Sequence, residues 1–130
     1  MFSPNGAFSG FSIRDKDESL RFYRDALGLD VSENAMGFLT LHLASGANVL
    51  AYVKGDGHQP ASYTMLNFEV DDIDEAVDQL NARGVVTTIY NGTGTPVDDK
   101  GIMRGNGPDI AWFTDPSGNV MAVIQASAGS

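Results

Sequence analysis

The chain contains no cysteine. That excludes disulfides, thiolate metal sites and cysteine nucleophiles, and it suits a reducing compartment, so a cytoplasmic location is expected. Long apolar runs are also missing. No stretch approaches the ~20 residues needed to cross a bilayer, so no membrane association is expected. The opening "MFSPNGAFSG" has no basic region followed by an apolar run, so it does not read as a signal peptide. Basic residues are scarce, 8 against 17 acids, giving a formal charge of −9. Such a balance lacks the cationic footprint of a nucleic-acid binder. It would favour a cationic small ligand, although a solubilising acidic surface is the commoner explanation. No G-x-S-x-G nucleophile elbow occurs, and "NGTGTP" lacks the strand–turn–helix setting and the lysine of a phosphate-binding loop.

What is present is a repetition. "FSGFSIRDKDESLRFYRDALGL" and "MLNFEVDDIDEAVDQLNARGV" both run from alternating residues through an acidic break into a helix. In the first copy the helix starts near Asp17, carries Leu20, Tyr23 and Leu27 on one stripe, and ends at Gly28. In the second, Asp72 and Glu75 form a capping box, Ile73, Ala76, Val77 and Leu80 make the stripe, and Gly84 ends it. Three strand-like runs follow each helix: Leu29–Glu33, Met36–Leu43 and Asn48–Lys54, then Val85–Tyr90, Asp109–Thr114 and Asn119–Gln125. The order is βαβββ, twice, in an α+β chain. The 130 residues then hold one domain with module 1 at about 7–54, a linker at 55–62 and module 2 at about 63–125. Phe8 maps to Met65, an offset of 57, and Asn48-Val49-Leu50-Ala51 echoes Asn119-Val120-Met121-Ala122, an offset of 71. The 14 extra residues of module 2 fall in the Gly-rich, charged stretch Asn91–Pro108. That stretch reads as a long surface loop of the kind that serves as a lid, or as a solvated surface.

The two βαβββ modules, with "SLRFYRDALGL", "NFEVDDIDEAVDQLNARGV" and "WFTDPSGN", resemble the vicinal oxygen chelate superfamily. That superfamily includes glyoxalase I, bleomycin-resistance proteins, fosfomycin-resistance enzymes and extradiol dioxygenases. The resemblance covers essentially the whole chain. It implies a cupped mixed sheet with helices on its convex face, and in the metalloenzymes of the family four cup positions hold a divalent cation. Carried onto this chain, those positions are Phe8, Ala51, Met65 and Ala122. Phe and Ala donate no lone pair, and a thioether suits Mg, Mn, Fe(II) or Zn poorly. No metal and no cofactor are therefore expected.

Strand alternation places Gly10, Ser12, Tyr63 and Asn67 on the face of Phe8 and Met65, with Phe11, Ile13, Leu66, Phe68 and Val70 beneath the helices. It likewise assigns Val49, Ala51, Val53, Val120, Ala122 and Ile124 to the cup, and Leu50, Met121 and Val123 to the helix side. His42 alternates against Leu39, Leu41 and Leu43 and faces the cup, as a ligand or general base or as a hydrogen-bonded polar residue. His58 reads as a solvated linker residue. Trp112, the lone tryptophan, points inward as a ligand platform or as packing, with Phe113 in the core. The expected ligand-binding set is Phe8, His42, Ala51, Tyr63, Met65, Asn67, Trp112 and Ala122, with no catalytic group. Apolar walls with scattered polar points suit a hydrophobic or aromatic small molecule, neutral or cationic. The bleomycin-resistance branch further implies a homodimer. The alternatives are that these side chains plug the cleft or a dimer interface, or that the chain is a glyoxalase-like lyase, isomerase or dioxygenase using His42 or Glu69.

Overall fold

A computed structural model describes residues 1–105 and 107–126. The chain divides into two compact units, the first ending at Gln59 and the second beginning at Pro60. Each is built to one plan.

Module 1 starts with β1 (Ser9–Ile13), followed by α1 (Lys16–Leu20). Asp15 caps α1 by accepting the Glu18 amide at 2.8 Å, satisfying one orphan donor of the first turn. The helix then widens into a π-helical stretch over Arg21–Ala26 and stops before Gly28, whose φ of +73° suits a residue without a Cβ. β2 (Asp30–Glu33), β3 (Leu39–His42) and β4 (Asn48–Val53) complete the module. Their order in the sheet is β1-β4-β3-β2, with β1 parallel to β4 and the other pairs antiparallel. Ile13, Leu39 and Ala51 are wholly buried, with Phe11, Leu20, Val31 and Val53 packed against them. The expected strand Met36–Leu43 is shorter than its pattern, because Asn34 claims its first half. The Asn34 carboxamide oxygen accepts the amides of Met36 and Phe38, both at 3.0 Å, and holds a turn there.

Module 2 repeats the plan with β5 (Thr64–Val70), α2 (Ile73–Ala82), β6 (Ile102–Met103), β7 (Ile110–Thr114) and β8 (Val120–Gln125). The sheet order is β5-β8-β7-β6, again with first and last strands parallel. Asp72 accepts the Glu75 amide at 3.2 Å, as its spacing predicts. Gln125 reaches from the end of β8 to accept the Ile73 amide at 2.8 Å and to donate to the Asp71 carbonyl, fastening α2 to the sheet. Ile73 and Val77 are buried on the helix, and Ala111, Phe113, Met121 and Val123 are buried on the sheet.

One expected strand is absent. Val85–Tyr90 pairs with the sheet through a single bridge between Thr88 and Trp112 among the described residues, and the place beside β7 goes to Ile102–Met103. The cause is polar. Asn81 donates to the Val85 carbonyl and the Thr87 hydroxyl, and Thr87 donates to the Lys100 carbonyl at 2.8 Å. These bonds draw the 85–90 segment and the returning chain together. Gly101 makes the approach possible: a Cβ there would lie 1.9 Å from the Thr87 carbonyl oxygen, and its φ is +85°. Gly101→Ala should cost roughly 2–4 kcal/mol, since a left-handed backbone and a backbone clash combine. Chemical denaturation of the variant measures this, with Gly105→Ala as the control, where φ is also +85° and the space is open.

The long stretch after Tyr90 is tied to the helix. Lys100 pairs with Asp74 at 3.4 Å and Asp78 at 2.9 Å. Arg104 reaches Asp74 at 2.8 Å, Asp98 at 3.1 Å and Asp109 at 3.1 Å. These exposed pairs make the stretch a strap along α2, where either a lid or a solvated surface is expected from the sequence. The Arg104 hydrogen bond holds Asp74 below the ordinary carboxylate range, and the bond to Asp78 raises Lys100. Burial pushes Asp98 up, but the Ile102 amide and Arg104 outweigh it and leave it lowered. Lowered carboxylates contribute stability that is complete above their unfolded pKa and lost as pH falls through the folded one. A raised lysine contributes below its unfolded pKa and loses that as pH climbs through the folded one. Melting temperature should therefore fall below about pH 4 and above about pH 10.5. The acid-side fall should shrink in Arg104→Met, and added salt should shrink it too, because the pairs are exposed.

Candidate functional site

Each sheet has one face covered by its helix and one facing away, and strand register decides which side chains stand on which. In module 2 the parallel pairing matches Asn67 with Ala122, and β7 matches Trp112 with Ala122. These three expected site residues form one row across the face away from α2. Asn67 is exposed, Trp112 half-buried and Ala122 fully buried, so the amide and the indole supply that row's accessible surface. The indole is held on two sides. Its Nε1–H donates to the Thr64 hydroxyl at 3.1 Å, and Tyr90 meets it edge to face at 5.3 Å between centroids. Glu69 and Ile124 form the next row on this face.

The expectation that Tyr63, Met65 and Asn67 alternate together fails. Register shifts between Thr64 and Leu66, so Thr64 pairs with Val120 and Leu66 with Met121. Met65 is the extra residue of this irregularity, and such a bulge resets which side chains share a face. Thr64, not Met65, is the residue fastened to Trp112. Tyr63 precedes the strand and is largely exposed.

In module 1 the last strand is turned over relative to the expectation. Leu50 pairs with Gly10 and Thr40, whereas Ala51 pairs with Phe11 and Leu39 and lies wholly in the helix-side core. Ala51 is therefore not a site residue; Leu50 and Tyr52 occupy the open face. The echo of "NVLA" in "NVMA" misleads by one position. The turns set the true match: the Leu43 amide bonds the Ala47 carbonyl, just as the Asp115 amide bonds the Asn119 carbonyl. That aligns Ser45-Gly46 with Ser117-Gly118, an offset of 117 − 45 = 72, and makes Leu50 the counterpart of Ala122. The second "SG" was the signal to follow. In "DPSGN" the asparagine belongs to the turn itself, where the Asp115 carboxylate takes the Ser117 and Asn119 amides and the Asn119 side chain, each at 2.9 Å.

On the open face of module 1, Phe8, Asn34, Thr40, Asn48 and Leu50 line a groove of about 290 Å³. Phe8 is 71% exposed. The Tyr52 ring lies across Gly10, where a Cβ would come within 2.5 Å of it, and Phe38 meets that ring edge to face at 5.4 Å. His42 stands on this face as expected, bonded to Ser32 at 2.7 Å and Asn48 at 3.0 Å. His58 is not a solvated linker residue: it is half-buried, with Nδ1 2.6 Å from the Ser12 hydroxyl.

By register the corner positions are Phe8 and Leu50 in one module and Ala122 in the other, where the bulge sets Thr64, rather than the expected Met65, beside Val120 on the open face. None is a carboxylate or an imidazole, so these residues do not fit the divalent cation of the family's metalloenzymes. Among the described residues, no three His, Asp or Glu side chains are grouped to hold a metal ion.

Two βαβββ modules, each closing its sheet by parallel pairing of first and last strands, define the glyoxalase-like α+β class. The chain belongs to the Glyoxalase/Bleomycin resistance protein/Dioxygenase superfamily, whose family model matches residues 10–123. It is similar to the antibiotic-binding protein TnmS3 from Streptomyces sp. CB03234, at 23% identity over 97% of this chain and 100% of that one, with a TM-score of 0.70. A superfamily member from Sphaerobacter thermophilus is 25% identical over 93% and 98%, with a TM-score of 0.67. Lactoylglutathione lyase from Agrobacterium tumefaciens is 21% identical over 95% and 96%, with a TM-score of 0.60. No protein of curated function matches the chain at a significant level. Among the described residues, no helix is long and apolar enough to cross a membrane.

The register makes a sharp prediction. Leu50→His places an imidazole on an open face and should change stability by less than about 1 kcal/mol. Ala51→His forces one into a filled core and should cost roughly 3 kcal/mol or more. Urea midpoints of the two variants measure the difference, and equal midpoints would refute the pairing.

Proposed function

We propose that this protein is a metal-independent small-molecule-binding member of its superfamily, taking a hydrophobic or aromatic ligand, neutral or cationic. The observation that carries this reading is the anchored Trp112. Its indole is fixed by Thr64 and Tyr90, part of it stays accessible, and an exposed amide, Asn67, stands two strands away in the same row. A pre-positioned aromatic plane binds flat ligands with little ordering cost, and a nearby amide sets their orientation. An acidic chain of net charge −9 adds attraction for a cationic ligand. The antibiotic-binding neighbour is consistent with this role. The donor-poor corners argue against a glyoxalase-type reaction. The proposal includes a homodimer in the cytoplasm, the first by analogy with the bleomycin-resistance branch and the second from the lack of cysteine.

Trp112 supplies its own probe, being the single tryptophan. A panel of planar cationic and antibiotic-like compounds should contain at least one that quenches its emission and raises the melting temperature. A ligand at 100 times its Kd adds about 2.7 kcal/mol. Trp112→Leu should weaken that ligand at least tenfold. The shift should persist after chelator treatment, and metal analysis of the purified chain should find no stoichiometric Fe, Mn, Ni or Zn. Solution mass should give a dimer at micromolar concentration. Stoichiometric metal, or a panel without a single stabilising compound, would defeat the reading.

A further inference from the structure

The open face of module 1 carries an arrangement that ligand binding on module 2 does not use. His42 Nδ1 lies 3.0 Å from the Asn48 carboxamide oxygen, and His42 Nε2 lies 2.7 Å from the Ser32 hydroxyl. An amide oxygen only accepts, so Nδ1 carries the proton. In the neutral ring Nε2 is then bare, and the Ser32 hydroxyl donates to it. The three residues come from adjacent strands, and the register that pairs Asp30 and Asn48 with His42 holds the ring between two neighbours. A hydroxyl on a bare imidazole nitrogen, with the ring's tautomer held from behind, is the arrangement of an activated nucleophile.

The surroundings supply the remaining parts. Asn48 and Thr40, the cross-strand partner of Ser32, are both walls of the groove lined by Phe8 and Leu50. At about 290 Å³ the groove admits a short acyl chain or one aromatic ring. Asn34, another wall, has its carboxamide oxygen committed to the amides of Met36 and Phe38. Its Nδ2 group is the end left for a ligand oxygen, the role of a donor to a developing oxyanion.

We propose that Ser32, His42 and Asn48 form an acyl-transfer site for small esters with phenolic or otherwise good leaving groups. Ser32 Oγ bonds to the ester carbonyl carbon while its proton passes to His42 Nε2. The bond from that carbon to the leaving oxygen breaks, and the leaving oxygen takes the proton from Nε2. Water then adds to the acyl-serine and gives its proton to Nε2. Collapse releases the carboxylic acid and returns the proton to Ser32 Oγ. Asn48 is a positioning residue: it touches only the ring, and fixes its tautomer.

The test treats the full chain with a short-chain alkyl fluorophosphonate, reads adducts by intact mass and maps the modified peptide. The expected result is a single adduct on Ser32, together with release of p-nitrophenol from p-nitrophenyl acetate. Ser32→Ala should abolish both, and His42→Gln should slow labelling about a hundredfold, as for loss of a general base. Asn48→Asp keeps an acceptor for Nδ1–H and should retain the labelling rate, whereas Asn48→Leu should lose it. A merely structural asparagine would not separate these two variants, once circular dichroism shows both folded. No adduct on Ser32 of the unmutated chain, or an adduct instead on Ser12 beside His58, overturns the proposal without any variant having to fold. The ligand test reads Trp112 in the other module, so either result stands without the other.

Discussion

The parallel pairing of first and last strands in each module decides which side chains are free for chemistry. Side chains alternate along a strand, so a slip of one residue exchanges the buried set for the open set. In module 1 the pairing turns Val49, Ala51 and the partly buried Val53 toward the helix and leaves Asn48, Leu50 and Tyr52 on the open face. The hydrophobic core enforces this choice. Turning the strand over would bury Asn48 and the Tyr52 hydroxyl and strip Ile13 and Leu39 of their neighbours. In module 2 the irregularity at Met65 does the same work over a shorter span, bringing Thr64 onto the face of Trp112 while Leu66 and Phe68 stay with the core.

A second constraint acts on the helix side. The acidic first turn of α2 is met by Lys100 and Arg104 from the long stretch, two of the chain's 8 bases. Individually such exposed pairs stabilise little. Their effect is directional: they commit the stretch to the helix, as the Thr87 bonds commit its return to the 85–90 segment. A stretch held in this way is a poor lid. The charge of −9 is uneven: residues 1–59 hold 7 acids and 5 bases and residues 60–130 hold 10 acids and 3 bases, so the second unit stays strongly acidic even with these pairs, while Glu18, Asp25 and Glu33 of the first are paired as well.

The fold was legible because it depends on features written in short range: acidic caps, a 3.6-residue stripe, glycine stops and alternation, each stated twice. The open face of module 2 was legible for the same reason, since Asn67, Trp112 and Ala122 follow simple alternation through regular pairing. Three things were not. The face of Ala51 depended on matching turns, and "NV" was a louder echo than "SG", although only the turn residues share a hydrogen-bond pattern. The bulge at Met65 leaves no mark in composition, because an extra residue in a strand looks like any other. The 85–90 segment carries the β-branched residues of a strand, but Thr87 and Asn81 spend their hydrogen bonds on the returning chain, a contact between positions far apart in sequence. Ser32 and Asn48 carry no signal in the sequence for a related reason. Nothing local distinguishes them until the strands place them on either side of His42.

Duplication explains how one fold carries two different surfaces. Core residues of both modules answer to the same packing demand and so remain recognisable as copies, Ile13 with Val70 and Phe11 with Phe68. Open-face residues answer to no such demand, because replacing one changes no packed neighbour beneath the sheet. The two faces have accordingly diverged, one toward an anchored indole with a single amide, the other toward hydroxyls, amides and an imidazole beside a small groove. In the family's metalloenzymes the corner positions are bound together by a common cation. Phe8, Leu50 and Ala122 offer no donor for one, so the open face of each module is left to be read from its own residues, the indole row in one and the imidazole with its groove in the other.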